Sequence, residues 1–293
     1  MQSTDIPFSK TYLSQCASLS VTRLLTEMNL IDLREFPSAK QLNALTQYFH
    51  SNWQGPHFVA QSELGEDDTR YYETIIGEDN RVPTREDSWH DLFNALIWIQ
   101  FPNTKGLLNT LHVNDINEFG ISPRTARRNR ITHFDECGVV LAVETPKDNN
   151  TADLEAFLTS LATHNWHEVF IKQRNKWAGD VTPFIFGHAN LEMMLNPFIG
   201  LTGKWLAVAV PEGFSQLSQW QQRSELDNAM VKRIAQLDDF QQAPILKPIP
   251  LLGVPGWHHP QSDSFYDNEE YFRPARKGAK QTIQLPLWRH SQY

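Results

Sequence analysis

Residues 88–113 read SWHDLFNALIWIQFPNTKGLLNTLHV, and the reading of this stretch decides the fold class. Ser88 is a helix-capping residue ahead of a run with helical spacing that continues to about Gln100, and Asn103 caps a second helix that ends near Val113. On a helical wheel Trp89, Leu92, Phe93, Leu96, Ile97 and Ile99 form one apolar side of the first helix, while His90, Asp91, Asn94 and Trp98 gather on the other. On the second helix Lys105, Asn109 and His112 fall together, opposite Leu107 and Leu111. The short Phe101–Pro102 connection makes the two helices antiparallel neighbours, so their polar faces can converge.

Working outward, the N-terminal part reads as helical. Tyr12, Cys16, Leu19, Arg23 and Leu24 continue to Met28 and Ile31 with helical spacing, and a second helix opens at Ser38 with Gln41 three residues later, a capping box. Residues 55–85 are irregular, with a short helix near Tyr71–Ile76. Ile131–Val143 reads as two short strands around Asp135, Glu136, Cys137 and Gly138, a hairpin signal. Helices follow at Thr151–Ala162, Asn165–Trp177, Phe186–Leu195 and Gln216–Leu237, with a buried strand at Trp205–Val210. In the second of these helices Trp166, Phe170, Gln173 and Trp177 share a stripe of the kind that usually lies in a core. Pro244, Pro248, Pro250, Pro255 and Pro274 exclude long regular elements from the last fifth, which should wrap the body in extended form, anchored by aromatics such as Trp257. The expected fold is α+β, predominantly helical, with a small antiparallel sheet and an extended proline-rich C-terminal wrap. The expected organisation is a single compact domain over 1–276 and a tail over 277–293.

Composition bounds the function. Of 293 residues, 40% are hydrophobic and 20% charged, and the nine Trp and 17 Phe belong in an ordered core. A net charge of -8 argues against broad nucleic-acid binding, because phosphate contacts need a positive surface. Cys16 and Cys137 are too few and too far apart for a disulfide framework or a zinc ribbon, and they suit a reducing cytoplasm. Cys137 follows Asp135 and Glu136, whose charge disfavours a thiolate. The N-terminus does not read as a signal peptide. The apolar run Leu92–Ile99 is far shorter than the roughly 20 residues of a membrane span.

The candidate chemistry lies on the two helices. His90, Asp91 and His112 supply a general base near neutral pH with an orienting acid, and Lys105, Asn94 and Asn109 supply donors for a bound anion or a developing charge. Arg124, Arg127, Arg128 and Arg130 precede the expected hairpin. Strand alternation would put Arg130 beside Thr132 and Phe134 and offer Arg128 and Arg130 to a phosphate or carboxylate. His188 and Glu192, one helical turn apart, could ligate one divalent metal. Each group also has a plainer reading: solvated helix faces, amides capping a helix corner, a structural His–Glu hydrogen bond, a solvated Arg loop.

The run His90-Asp91-x-Phe93-Asn94-Ala95-Leu96-x-Trp98, then Phe101-Pro102-x-x-Lys105-x-x-x-Asn109-x-x-His112, resembles a bacterial, largely proteobacterial family, the domain of unknown function numbered 3025. Matching blocks are Thr132-x-Phe134-Asp135-Glu136-x-Gly138, Phe186-Gly187-His188-Ala189-x-x-Glu192, Leu252-Gly253-Val254-Pro255-Gly256-Trp257, Phe265-Tyr266 and Phe272-Arg273-Pro274, so the resemblance spans about Tyr71 to Pro274. It implies an identity and no activity, substrate or cofactor. One departure is Asn129, where the family commonly carries an Asp three positions before the Thr.

The expected function is therefore an enzyme, a hydrolase or related transferase acting on an anionic or nucleotide-like small molecule through a His/Asp/Asn/Lys cleft, with a metal-assisted variant. The alternative is a non-catalytic protein that binds a protein or structured RNA partner. A third reading makes the polar clusters internal scaffolding.

Overall fold

The computed structural model describes residues 6–65 and 67–288. Contacts divide them into two compact units, one within Met1–Asp135 and His188–Pro197, the other within Glu136–Gly187 and Phe198–Tyr293.

The first unit opens with α1 (Lys10–Cys16) and α2 (Leu19–Glu27). The single helix expected here is broken because Ala17 is extended and Ser18 starts a new helix, its hydroxyl accepting from Val21 N in place of an orphan end group. α3 (Ala39–Phe49) carries the expected Ser38/Gln41 capping box. β1 (His57–Ala60) then pairs in parallel with β2 (Arg81–Thr84), His57 opposite Arg81 through Ala60 opposite Thr84. A parallel pair needs a crossover, and α4 (Tyr72–Asp79) supplies it, stopped by Asn80 in the left-handed conformation at φ 55.

α5 (Trp89–Gln100) is capped by Ser88, and all but His90 and Asp91 of its residues are buried. It is a core helix rather than a two-faced surface helix: Asn94 and Trp98, expected on the polar side, are only 8% and 2% exposed. Trp89 anchors its first turn, stacked on Phe8 and Phe93 with its indole N–H donating to Ile6 O at 2.9 Å. α6 (Pro102–Phe119) begins one residue before Asn103, with Pro102 in its first turn, where the missing N–H costs nothing. It also runs beyond Val113 to Gly120, whose φ of 81 suits a residue without Cβ.

The hairpin expected at 131–143 is instead α7 (Ala126–Cys137). Arg128, Ile131 and Phe134 recur at three-residue spacing and are all buried, and Thr125 Oγ1 accepts from Arg128 N at 3.1 Å. That helical period and start signal outweigh the local β-branched content. The helix runs directly into β3 (Gly138–Glu144), the first strand of the second unit.

β3, buried at every position but Glu144, reads as a continuous apolar run, as a strand covered on both faces should. α8 (Ala152–Ala162) follows. The helix expected at 165–177 is interrupted: Glu168–Lys172 forms a π-turn closed by Gln173 N donating to Glu168 O, and Arg174–Ala178 a 3-10 turn. Its aromatics do lie in the core, Phe170 stacking on Trp166 at 5.8 Å and on Trp177 at 5.6 Å. β4 (Val181–Ile185) pairs antiparallel with β3. The chain supplies α9 (His188–Met193) to the first unit, where it packs on α5, and resumes in the second with β5 (Thr202–Val210), α10 (Gln219–Gln236), β6 (Lys247–Pro250) and α11 (Asp263–Tyr266).

The four-stranded sheet has the order β4-β3-β5-β6. It is mixed: its outer pairings are antiparallel, while the central β3–β5 pairing, Gly138 opposite Lys204 through Glu144 opposite Val210, is parallel. α10 packs on β5 with Leu226, Met230 and Ile234 fully buried. Beyond β6 the chain is largely extended and is held by side chains. Tyr271 donates to Leu201 O at 2.6 Å and accepts from Leu252 N at 3.0 Å, and Trp257 is buried. Gln284, without exposed surface, accepts from Ala207 N at 2.8 Å and donates to Ile245 O and Trp205 O. The fold is α+β and predominantly helical. Among the described residues no helix is long and apolar enough to cross a membrane.

Candidate functional site

The polar residues of α5 and α6 meet inside the first unit. Lys105 Nζ donates to Asn94 Oδ1 at 3.0 Å and to Asp135 Oδ1, on α7, at 2.5 Å, with the Trp98 ring 5.4 Å away. Lys105 is only 5% exposed, so its charge has lost most of its water, and the carboxylate and the amide replace it. The Asn94 amide in turn donates to Tyr72 Oη at 2.8 Å. Burial opposes ionisation of Asp135, but the nearby Lys105 and His188 charges and the Lys105 hydrogen bond outweigh it and hold this carboxyl below its ordinary range.

At the start of α5, Asp91 is gripped by Arg85: Arg85 N and Nε donate to Oδ2 at 2.7 and 3.0 Å, and Nη2 donates to Oδ1 at 2.7 Å. His90 Nδ1 lies 3.1 Å from the same Asp91 Oδ1. Burial pushes the Asp91 carboxyl up, yet its His90 and Arg85 hydrogen bonds prevail and hold it well below the usual value. A permanently ionised Asp91 fixes the ring of His90 with Nδ1 as donor. The His90 ring meets the His188 ring edge to face at 4.6 Å, and His188 Nδ1 is 3.8 Å from Asp135 Oδ2.

One turn beyond Lys105 on the same face of α6, Asn109 donates to the backbone and carboxylate of Glu73 at 2.9 and 2.7 Å. Glu73 is raised above its ordinary value by burial, which outweighs Lys105 and the Asn109 hydrogen bond. One turn along, His112 is 4% exposed and its Nδ1 has no hydrogen-bond partner among the described residues. Burial lowers this imidazole to about 4, Asp135 opposing and Arg128, Arg124 and Lys105 adding to the shift, so it is neutral at physiological pH. Arg128, without exposed surface, donates through Nη1 to Ile121 O at 2.8 Å and Gly120 O at 3.3 Å, with the Tyr71 ring 5.3 Å from its guanidinium carbon. Its Nε and Nη2 have no partner among the described residues.

Of the sequence-predicted residues, Asn94 and Lys105 are in direct contact, His90 and Asp91 form a pair, and His112 and Arg128 share one electrostatic neighbourhood. Asn109 serves Glu73. Arg130 does not share a side with Thr132 as the strand reading required, because residues two apart on α7 lie about 200° apart round the axis; it is half-buried. Glu192 is half-buried and bears on Arg85, and no set of three metal-type ligands among the described residues includes it. His188 has Asp135 and His90 beside it instead. Tyr72, Glu73 and Arg85 escaped sequence reasoning, and Asp135 was assigned to a turn. A helical reading of 126–137 would have placed Asp135 seven residues from Arg128, on the same face.

A separate cleft of about 590 Å³ lies in the second unit, where β5, α10 and the tail contribute Glu225, Lys232 and Trp288. It holds none of the predicted residues. No curated protein and no solved structure matches the chain. A family model described as a protein of unknown function, DUF3025, matches residues 56–276, a span that takes in α4 to α7, α9 and every residue of the polar network, and the chain belongs to that family.

Proposed function

We propose that the first unit carries an acid–base active site for an anionic small molecule, working as a hydrolase or a related transferase in the cytoplasm. The observation that carries this reading is the Arg85–Asp91–His90 relay, in which three N–H groups hold one carboxylate and that carboxylate orients one imidazole at 3.1 Å. Oriented through Nδ1, His90 presents Nε2 as the general base, and Asp91 stabilises the imidazolium that forms. Arg128 attracts the anion, the charge of Lys105 being taken up by Asp135. Asn94 and Asn109 are positioning residues that hold Lys105 and Glu73, and His112 is a neutral hydrogen-bonding group beside Arg128.

The rival, a basic face for a structured RNA or protein partner, is disfavoured by the Arg cluster itself: Arg128 is buried, Arg127 pairs with Asp115, and Arg124 donates to Tyr71 Oη. A metal-assisted variant is favoured by the edge-to-face contact of His90 and His188, with Asp91 acting as the carboxylate behind a ligating histidine. Elemental analysis of the protein and of His188→Ala decides it: stoichiometric metal that the variant loses supports the variant mechanism, and none in either removes it.

The acid–base reading is tested with p-nitrophenyl acetate, p-nitrophenyl hemisuccinate and p-nitrophenyl phosphate. His90→Gln should lower kcat/KM on whichever ester turns over by roughly a hundredfold or more while the protein stays folded. A rate indifferent to His90→Gln overturns it.

A further inference from the structure

Among the described residues Arg128 is the cation of the network whose Nε and Nη2 both lack a partner. Lys105 has Asp135, Arg127 has Asp115 and Arg85 has Asp91. Arg128 instead spends Nη1 on the Ile121 and Gly120 carbonyls, which together with the Tyr71 ring fixes the guanidinium plane. The remaining edge, Nε and Nη2, points two parallel N–H groups in one direction, and this is the spacing that the two oxygens of a carboxylate accept. Leaving such an edge dry and unmatched is costly. The imidazole of His112, which feels the Arg128 charge, also has its Nδ1 unmatched among the described residues, so two buried side chains on successive helices, α6 and α7, each keep an unpaired polar atom.

Charge selects among anions. Of the cations near Arg128, Lys105 is already neutralised by Asp135, and Arg124 lies in the exposed segment Gly120–Arg124, where water screens it. Glu73, close enough to Arg128 for that charge to favour its ionised form, can only subtract from the positive charge there. The buried neighbourhood therefore offers no more than one net positive charge and two parallel donors, which a carboxylate satisfies; a phosphate dianion would bring a second charge and further acceptor oxygens with nothing dry to meet them.

We propose that the small molecule recognised by the first unit is a carboxylate monoanion seated bidentately on the Nε/Nη2 edge of Arg128, beside His112. This rests on the reading of that unit as a site for an anionic small molecule and names the chemical class.

The test is the Arg Nε–H region of a proton–nitrogen correlation spectrum of the full chain, the Arg128 resonance assigned with Arg128→Lys. Acetate should shift that resonance saturably, inorganic phosphate should leave it in place or bind at least tenfold more weakly, and Arg128→Lys should weaken acetate binding at least tenfold by calorimetry. If the Lys variant fails to fold, Tyr71→Leu, which removes the ring beside the guanidinium, serves for assignment and should weaken acetate binding severalfold. Phosphate binding as tightly as acetate, or neither anion moving the resonance, overturns the proposal. His90→Gln separates this from the acid–base reading: acetate binding kept while turnover is unaffected by the variant would sink the acid–base reading alone, whereas His90-dependent turnover without acetate binding would sink the carboxylate seat alone.

Discussion

Acidification should destabilise the first unit through His112. In the unfolded chain this imidazole titrates near its ordinary value of 6.5, while in the folded protein burial lowers it to about 4. Because the folded value is depressed, the unfolded state takes up the proton first as pH falls below the ordinary value, and the loss levels off only once the folded protein also protonates. Between about pH 7 and about pH 5 the excess of protons on the unfolded state grows from about a quarter toward one, which withdraws about 2 kcal/mol of stability. His112 is almost without solvent exposure, so little of this is lost to screening. The assay is urea unfolding at the two pH values for the protein and for His112→Gln, which carries no titrating group there. The difference between the two proteins should change by about 2 kcal/mol, the variant being the less acid-sensitive. A change below about 0.5 kcal/mol, or a protein that gains stability relative to the variant on acidification, would refute the reasoning.

Lys105 and Asp135 should behave as a buried ion pair in a double-mutant cycle. Lys105→Met or Asp135→Asn alone leaves one charge or its partner's site unmatched and should cost about 3–5 kcal/mol, while Lys105→Met with Asp135→Asn should cost clearly less than the sum. Additive losses in chemical denaturation would show that the pair is not coupled. In the second unit, a Cβ on Gly187 would lie 2.4 Å from Glu136 O and 2.5 Å from Gly138 N, backbone atoms with no freedom to yield. Gly187→Ala should therefore lower stability by about 3 kcal/mol or more, and an unchanged Tm would contradict the close approach of these two backbone segments.

What could be read from the sequence was local. The Ser38/Gln41 capping box, the Ser88 cap, the helical spacing of α5 and the apolar strand at Trp205–Val210 depend on residues within a turn or a strand of each other, and each formed as expected. The polar stripes on α5 and α6 were visible for the same reason. Their direction was not: a wheel assigns polar groups to water by default, and only tertiary packing puts Asn94 and Lys105 inside. Glu73 stands 36 residues from Asn109 and Asp135 stands 30 from Lys105, so no periodicity could pair them. The hairpin error at 131–143 came from weighing Ile131, Thr132 and Val139 by propensity while Arg128, Ile131 and Phe134 carried the helical period. The same error placed Arg130 beside Thr132 and hid Asp135.

Beyond Trp205 the outer edge of β5 has no strand beside it among the described residues, since β6 pairs only Thr202–Trp205. Two side chains take the place of that strand: Gln284 accepts from Ala207 N, and Arg233 Nε donates to Ala207 O at 3.2 Å while its Nη2 bonds the Gln284 backbone. The family match ends at residue 276, before Gln284. A chain trimmed to the family boundary would expose an apolar strand edge with vacant donors and acceptors, the template from which molecules pair edge to edge and aggregate. The segment after 276 thus acts as a guard against self-association, and fragments intended to be soluble need it through at least Gln284.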